Sequence, residues 1–278
     1  MVGLAGATTV TPLQPFSLGS VAVTIEDRVA VVTLARGDRL NALSVEVTEA
    51  LRAVALKLRE DVTTSAVVLT GVPVFSAGAD LADPALAKRA AAPLLERREL
   101  MRIGPEMCAA WEALDQVTIA AVEGYCLGGA LSLAIACDFR IAGEGAHFRL
   151  PEIPLGMNMS WATQPRLVNL VGPARAKQLV IFGERVGASE ALGWGLIEAT
   201  APDGGALEAA LGWARRVAAL PPLSVRMAKR AITEIATALN PLGTFMDADQ
   251  YALAALSEDH KEAVAAFFEK RPPKFTGR

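Results

Sequence analysis

Two short stretches rich in glycine and other small residues carry the strongest chemical signal in the chain: Phe75–Leu81 (FSAGADL) and Glu123–Ala134 (EGYCLGGALSLA). Each follows a β-type run, where a strand would give way to a loop or helix. Small side chains let a ligand approach the main chain, and a helix start presents free N–H groups at the positive end of its dipole. Two such groups converging on one oxygen would stabilise an enolate or a tetrahedral anion. A tight structural turn would carry the same residues, so each stretch alone leaves both readings open.

Other chemistries find less support. His147 and His260 are far apart and belong to no HExxH pattern, and His260 sits in the charged string SEDHKE, read as a solvated helix start. Ser132 lies in GGALSLA, which is not the GxSxG elbow of a hydrolase, and reads as a small buried helix residue. Phosphate loops of the GxGxxG and GxxxxGK types are absent. Cys108, Cys126 and Cys137 include no CxxC pair, which points to a reducing compartment rather than a disulfide frame or zinc site.

The elements that must position the two turns are legible from periodicity. Val21–Ile25 and Val29–Leu34, separated by Glu26, Asp27 and Arg28, read as a hairpin. Ser44 is the expected N-cap of a helix running to about Glu60, with Val47, Leu51, Val54 and Leu58 at helical spacing. Ala66–Leu69 reads as a buried strand, and Pro84–Leu114 as helical with a break at Gly104 and Pro105. Ile119–Val122 is the next strand, Ala130–Ala136 a buried helix and Phe139–Ala142 a strand. From Arg166 onward helices dominate, ending in Ser257–Lys270 with Val264, Phe267 and Phe268 as its buried stripe. Interleaved strands and helices followed by a helical tail indicate an α/β core with a helical C-terminal region.

Composition closes off whole classes. The 278 residues suffice for one large domain or two small ones, and 52% hydrophobic residues exclude a disordered chain. A net charge of −3 gives no electrostatic footprint for nucleic acid. The mean hydropathy of +0.34 raises a membrane question, focused on Val117–Cys137, where Glu123 is the only charge. Lysines and arginines do not flank that segment as a topology signal requires, and a strand, a glycine turn and a buried helix give the same hydropathy. No membrane span is expected. The first residues lack the basic start of a signal peptide, so 1–18 is read as a loose N-terminal extension and the cytoplasm as the default location.

The two turns in this order, the earlier RLNALS (Arg39–Ser44), the later CDFRIAGEGAHFRLPEIPLG (Cys137–Gly156) and the closing AFFEKRPPKF (Ala266–Phe275) together resemble the crotonase family of enoyl-CoA hydratases and isomerases. The resemblance covers about Val21 to Arg278. It implies an α/β fold built as a spiral of ββα units over 19–200, a helical C-terminal trimerisation region over 201–278, and a homotrimer or hexamer. It also implies an acyl-CoA thioester as ligand, with no cofactor beyond the coenzyme A that the substrate carries. Carried over by position, it assigns the oxyanion-hole N–H groups to Ala79 and Gly129 and the proton-handling carboxylate to Glu152. Ala77, Asp80 and Leu81 would supply main-chain or wall contacts, and Arg39 and Lys270 are the basic side chains nearest the family's coenzyme A contacts.

The chain also departs from the family pattern. The second motif ends in Ala130 where a third glycine is common. The family's hydratases carry a second, water-activating glutamate three residues after the oxyanion glycine, and here that position is Ser132. A serine can hold water but is a poor base, and a general acid or base is typically worth about 10²–10⁴ in rate. One carboxylate is enough to move a double bond from the 3,4 to the 2,3 position, so isomerisation is expected over efficient hydration. Slow hydration with water held by Ser132 and a non-catalytic acyl-CoA binder are the alternatives. Pro154–Thr163 contains no additional acid, and SWATQPRL (Ser160–Leu167) replaces a glycine-rich helix start. Met157, Met159 and Trp161 are either acyl-pocket wall or ordinary core, and Asn158 is a candidate polar contact to substrate.

Overall fold

The computed structural model describes residues 12–278. A seven-stranded sheet runs in the order β1 (Phe16–Leu18), β2 (Val21–Glu26), β3 (Val29–Leu34), β4 (Ala66–Gly71), β5 (Val117–Val122), β7 (Phe139–Gly143), β10 (Ala199–Ala201). The first two pairings are antiparallel and the rest parallel. A smaller sheet holds β6 (Tyr125–Leu127), β8 (His147–Arg149) and β9 (Val186–Gly187). Isolated parallel bridges, Leu43 with Ala79 and Ser76 with Cys126, extend its line across the earlier turns of the chain. Successive turns thus send one strand to the large sheet and one short segment to the small one before a helix returns, which is the expected ββα spiral.

The helices are α1 (Val45–Glu60), α2 (Pro84–Ala91), α3 (Leu94–Leu100), α4 (Ile103–Glu112), α5 (Gly129–Ala134), α6 (Thr163–Lys177) and α7 (Ala188–Trp194). The C-terminal part adds α8 (Ala206–Ala218), α9 (Pro222–Thr237), α10 (Asn240–Thr244), α11 (Asp247–Ala254) and α12 (Glu258–Glu269). Ser44 caps α1 by accepting the Val47 N–H, and Ser257 caps α12 by accepting the His260 N–H.

Every residue of β4 and β5 is buried, because the sheet has a core on both faces. Val67, Leu69, Ala120 and Val122 join Leu51, Leu58 and Trp111 on one face. Ala66, Val68, Ile119 and Ala121 meet Ala206, Ala210 and Ala214 of α8 on the other. Alanines at a spacing of four let α8 lie close to the strands.

Several expectations are corrected. Residues 1–11 lie outside the described part, and Phe16–Leu18 of the supposed loose extension pair with β2 as an edge strand. The helical stretch from Pro84 breaks before Leu94 and again at Met101–Arg102. Gly104 and Pro105 instead occupy the first turn of α4, where a missing N–H costs no hydrogen bond. In α12 the buried face is Ala263 and Ala266, while Phe267 and Phe268 are exposed. The Val117–Cys137 segment divides into β5, β6 and α5, and no helix among the described residues is long and apolar enough to cross a membrane.

Trp111 is fully buried and donates its indole N–H to the Leu51 carbonyl at 3.1 Å, pinning α4 on α1. Trp111→Ala is expected to destabilise the fold by about 3–5 kcal/mol, read as a lowered urea midpoint. A loss below about 1 kcal/mol would show that other contacts hold the two helices together.

Candidate active site

The two glycine turns are laced to one another by main-chain hydrogen bonds. Ser76 N–H donates to Tyr125 O at 2.8 Å, Leu127 N–H to Ser76 O at 3.2 Å, and Phe75 N–H to Glu123 O at 2.8 Å. At Gly78, φ is +86° and a Cβ would lie 2.4 Å from Leu127 O, so only glycine permits this approach. On the other side Leu43 N–H donates to Gly78 O and Asp80 N–H to Leu43 O, which leaves Ala79 between two paired neighbours. The N–H groups of Ala79 and Gly129 donate to no acceptor among the described residues, and both residues line the same cavity.

Glu152 enters that cavity from the turn after β8. Gly128 N–H donates to Arg149 O at 2.8 Å, which brings the turn against the start of α5. Gly128 has φ +51°, and a Cβ there would meet Glu152 Oε1 at 2.8 Å. Glu152 Oε2 is buried and without a hydrogen-bond partner. Burial pushes its pKa up to about 7, against the opposing pull of its own backbone N–H and of Arg149. Asp80 and Asp83 also line the cavity, but Asp80 is paired with Arg36 at 2.7 Å. Asp83 accepts the Val45 and Ala85 N–H groups. Glu152 is thus the cavity carboxylate left free to exchange a proton.

Ser132 faces the same space with its hydroxyl engaged. Its Oγ lies 2.7 Å from Thr163 Oγ1, and Thr163 spends its own proton on Ser160 O at 2.6 Å. The Ser132 hydroxyl is thus held by Thr163, with Gly128 O at 3.4 Å as a further acceptor for its proton.

Trp161 and Ala162 are consecutive left-handed residues, with φ of +64° and +56°. That costly pair is held from two helices: Arg166 Nη1 donates to Trp161 O at 2.8 Å, and Ala162 N–H donates to Asp247 Oδ2 at 3.0 Å. Arg166 is itself fixed by two 2.8 Å bonds to Glu112. The turn delivers the indole into a slot between two glycines. A Cβ on Gly104 would lie 2.0 Å from Trp161 Cε2, and one on Gly129 2.5 Å from Cζ3. Met157, Met159 and Trp161 all line the cavity, while Met159 also belongs to the core and Trp161 packs against it.

Of the residues singled out from the sequence, Ala79, Asp80, Leu81, Gly129, Ser132, Glu152 and Trp161 converge on the cavity. Four do not. Ala77 donates its N–H to Leu40 O, and Asn158 donates its amide to Gln250 Oε1 at 2.7 Å, which ties the loop to α11. Arg39 and Lys270 are exposed and away from the lining. His260 is no solvated helix start, since its Nδ1 lies 2.9 Å from Leu155 O and joins α12 to the Glu152 turn. The sequence reading missed Arg89 of α2, Thr163 of α6 and Tyr251 of α11, whose hydroxyl lies 3.3 Å from Met157 Sδ. Nothing in local spacing links these helices to the glycine turns.

With this geometry in view, residues 24–278 match the family described as enoyl-CoA hydratase/isomerase. The chain is 36% identical over 261 residues to the 2,3-dehydroadipyl-CoA hydratase of Escherichia coli K12, covering 92% of this chain and 98% of that protein. It is 33% identical over 261 residues to the short-chain-enoyl-CoA hydratase of Clostridium acetobutylicum, covering 91% and 96%. Among solved structures, an enoyl-CoA hydratase/isomerase from Pseudoalteromonas atlantica T6c superposes with a TM-score of 0.82 at 30% identity, covering 92% of this chain and all of the other.

The enclosure of Glu152 has a measurable consequence. Its raised pKa means that the folded state holds the proton more tightly than the unfolded chain, so its contribution to stability is present at low pH and lost as pH rises through about 7. Glu152→Gln is expected to raise Tm relative to the parent near pH ~8 and leave it nearly unchanged near pH ~5. An equal effect at both would mean that the carboxyl is not desolvated.

Proposed function

The chain belongs to the enoyl-CoA hydratase/isomerase family, and from that premise we propose that it relocates a proton on an enoyl-CoA thioester, converting a 3-enoyl to a 2-enoyl thioester in preference to adding water efficiently. The observation that carries the reading is that Glu152 alone among the cavity carboxylates is unpaired, while the position opposite holds Ser132, already bonded to Thr163.

In this mechanism the thioester oxygen accepts the N–H groups of Ala79 and Gly129. Glu152 removes the α-proton, and the electron pair flows toward the carbonyl, giving a dienolate whose negative oxygen rests on those two donors. Glu152 then returns the proton to the γ-carbon on the same face, and the 2,3 double bond remains. A pKa of about 7 suits a group that must accept and release a proton in one cycle. The enclosing residues Met157, Met159 and Trp161 keep competing water low. No cofactor is required beyond the coenzyme A of the substrate, and the cytoplasm remains the proposed setting. Ser132 accepting a hydrogen bond from water would support slow hydration as a second activity.

The C-terminal helices fit assembly into a homotrimer or hexamer. No residue of α9 is buried, and Leu223, Met227, Ile232 and Ile235 along it are exposed, as are Leu242 and Phe245 just beyond. Light scattering is expected to give a trimer or a multiple of it, and a monomer would overturn this assignment.

Purified protein is expected to consume 3-enoyl-CoA faster than it hydrates 2-enoyl-CoA. Glu152→Gln should lower isomerisation by about 10²–10⁴. The rate should rise with pH through about 7, as the base loses its proton. Hydration at an ordinary hydratase rate that survives Glu152→Gln would sink both the base assignment and the preference. Binding of both thioesters with turnover of neither would establish the non-catalytic alternative.

A further inference from the structure

The cavity that holds Glu152 also holds a cation for which the proton transfer has no use. Arg89 lies on α2 beside Lys88, but Lys88 is exposed whereas Arg89 is half-buried and lines the cavity. Its side chain makes no hydrogen bond and no ion pair among the described residues. Asp83, the acid nearest in sequence, has both oxygens taken by the Val45 and Ala85 N–H groups. Burial lowers its pKa, against the pull of Tyr251 and Asp83, and the nearby Arg97 repels it. A partly desolvated guanidinium with no carboxylate bonded to it is costly, and its planar fork of donors is shaped for one.

Its position along the cavity indicates which part of a ligand it meets. Arg89, Glu152 and Tyr251 line the one cavity, and the Tyr251 hydroxyl lies 3.3 Å from Sδ of Met157, whose N–H donates to Glu152 O at 2.9 Å, with Met101 and Ile103 among the apolar walls. A thioester whose oxygen sits at Ala79 and Gly129 presents its α-carbon to Glu152, and what extends past Glu152 toward Arg89 is the acyl tail. We propose that Arg89 receives a carboxylate at the far end of the acyl chain, so that the preferred substrates are thioesters of dicarboxylic acids. This rests on the acyl-CoA reading above, but its test does not require turnover.

Calorimetric titration of the whole protein with succinyl-, glutaryl- and adipyl-CoA, each against its neutral partner butyryl-, valeryl- or hexanoyl-CoA, reads the preference as a ratio of dissociation constants within a pair. In at least one pair the carboxylate should bind about ten- to hundredfold tighter. Arg89→Met should bring that ratio to one or below, and Arg89→Lys should restore part of it. A ratio of one in every pair overturns the proposal. So does a loss in Arg89→Met that falls equally on both members, which would assign Arg89 to the coenzyme A phosphates or to the fold. Failure of every acyl-CoA to bind would instead remove the acyl-CoA reading, so the two failures are distinct.

Discussion

The site depends on one short ladder. Ser76 gives its N–H to Tyr125 and takes one from Leu127, and these bonds lock two turns far apart in sequence into a fixed register. They bring the unpaired N–H groups of Ala79 and Gly129 to one cavity, and a side chain at Gly78 would collide with Leu127 O and separate them. The same glycine turn supplies the Gly128 N–H that anchors Arg149 O, and with it the turn bearing Glu152. Both backbone donors and the carboxylate are consequences of the same register.

Around that register, the polar groups of the cavity are paired until one carboxylate is left over. Asp80 is neutralised by Arg36, Asp83 is consumed as a cap, and Ser132 is bonded to Thr163. Glu152 is left with a buried, unpartnered oxygen. An isolated buried carboxylate disfavours folding at high pH, and the same desolvation brings its proton affinity into the range useful for transfer. Strain is handled similarly at Trp161 and Ala162, whose left-handed backbone persists because Arg166 and Asp247 grip it from either side.

The C-terminal helices belong to the site as much as to the exterior. Asp247 holds the Trp161 turn, Tyr251 lines the cavity, Gln250 binds Asn158, and His260 reaches Leu155 O. The loop that carries Met157, Met159 and Trp161 to the cavity is therefore fastened by residues from the last part of the chain.

Local chemistry alone determined the hairpin, the strands, the Ser44 and Ser257 caps and the two glycine turns, because β-branched runs, side-chain caps and glycine act over a few residues. Resemblance across ordered motifs then named Ala79, Gly129 and Glu152. Tertiary structure decided what depends on distance through space. Asn158 reads as a substrate contact until Gln250 of α11 is placed beside it, and Arg39 and Lys270, singled out beside the two turns, prove to be exposed and outside the cavity lining. Phe267 and Phe268 fit a buried stripe by periodicity, yet the packing of α12 turns Ala263 and Ala266 inward. Arg89 and Tyr251 carry no local signal at all, since what distinguishes them is a shared, desolvated cavity, and desolvation exists only once the helices have closed around it.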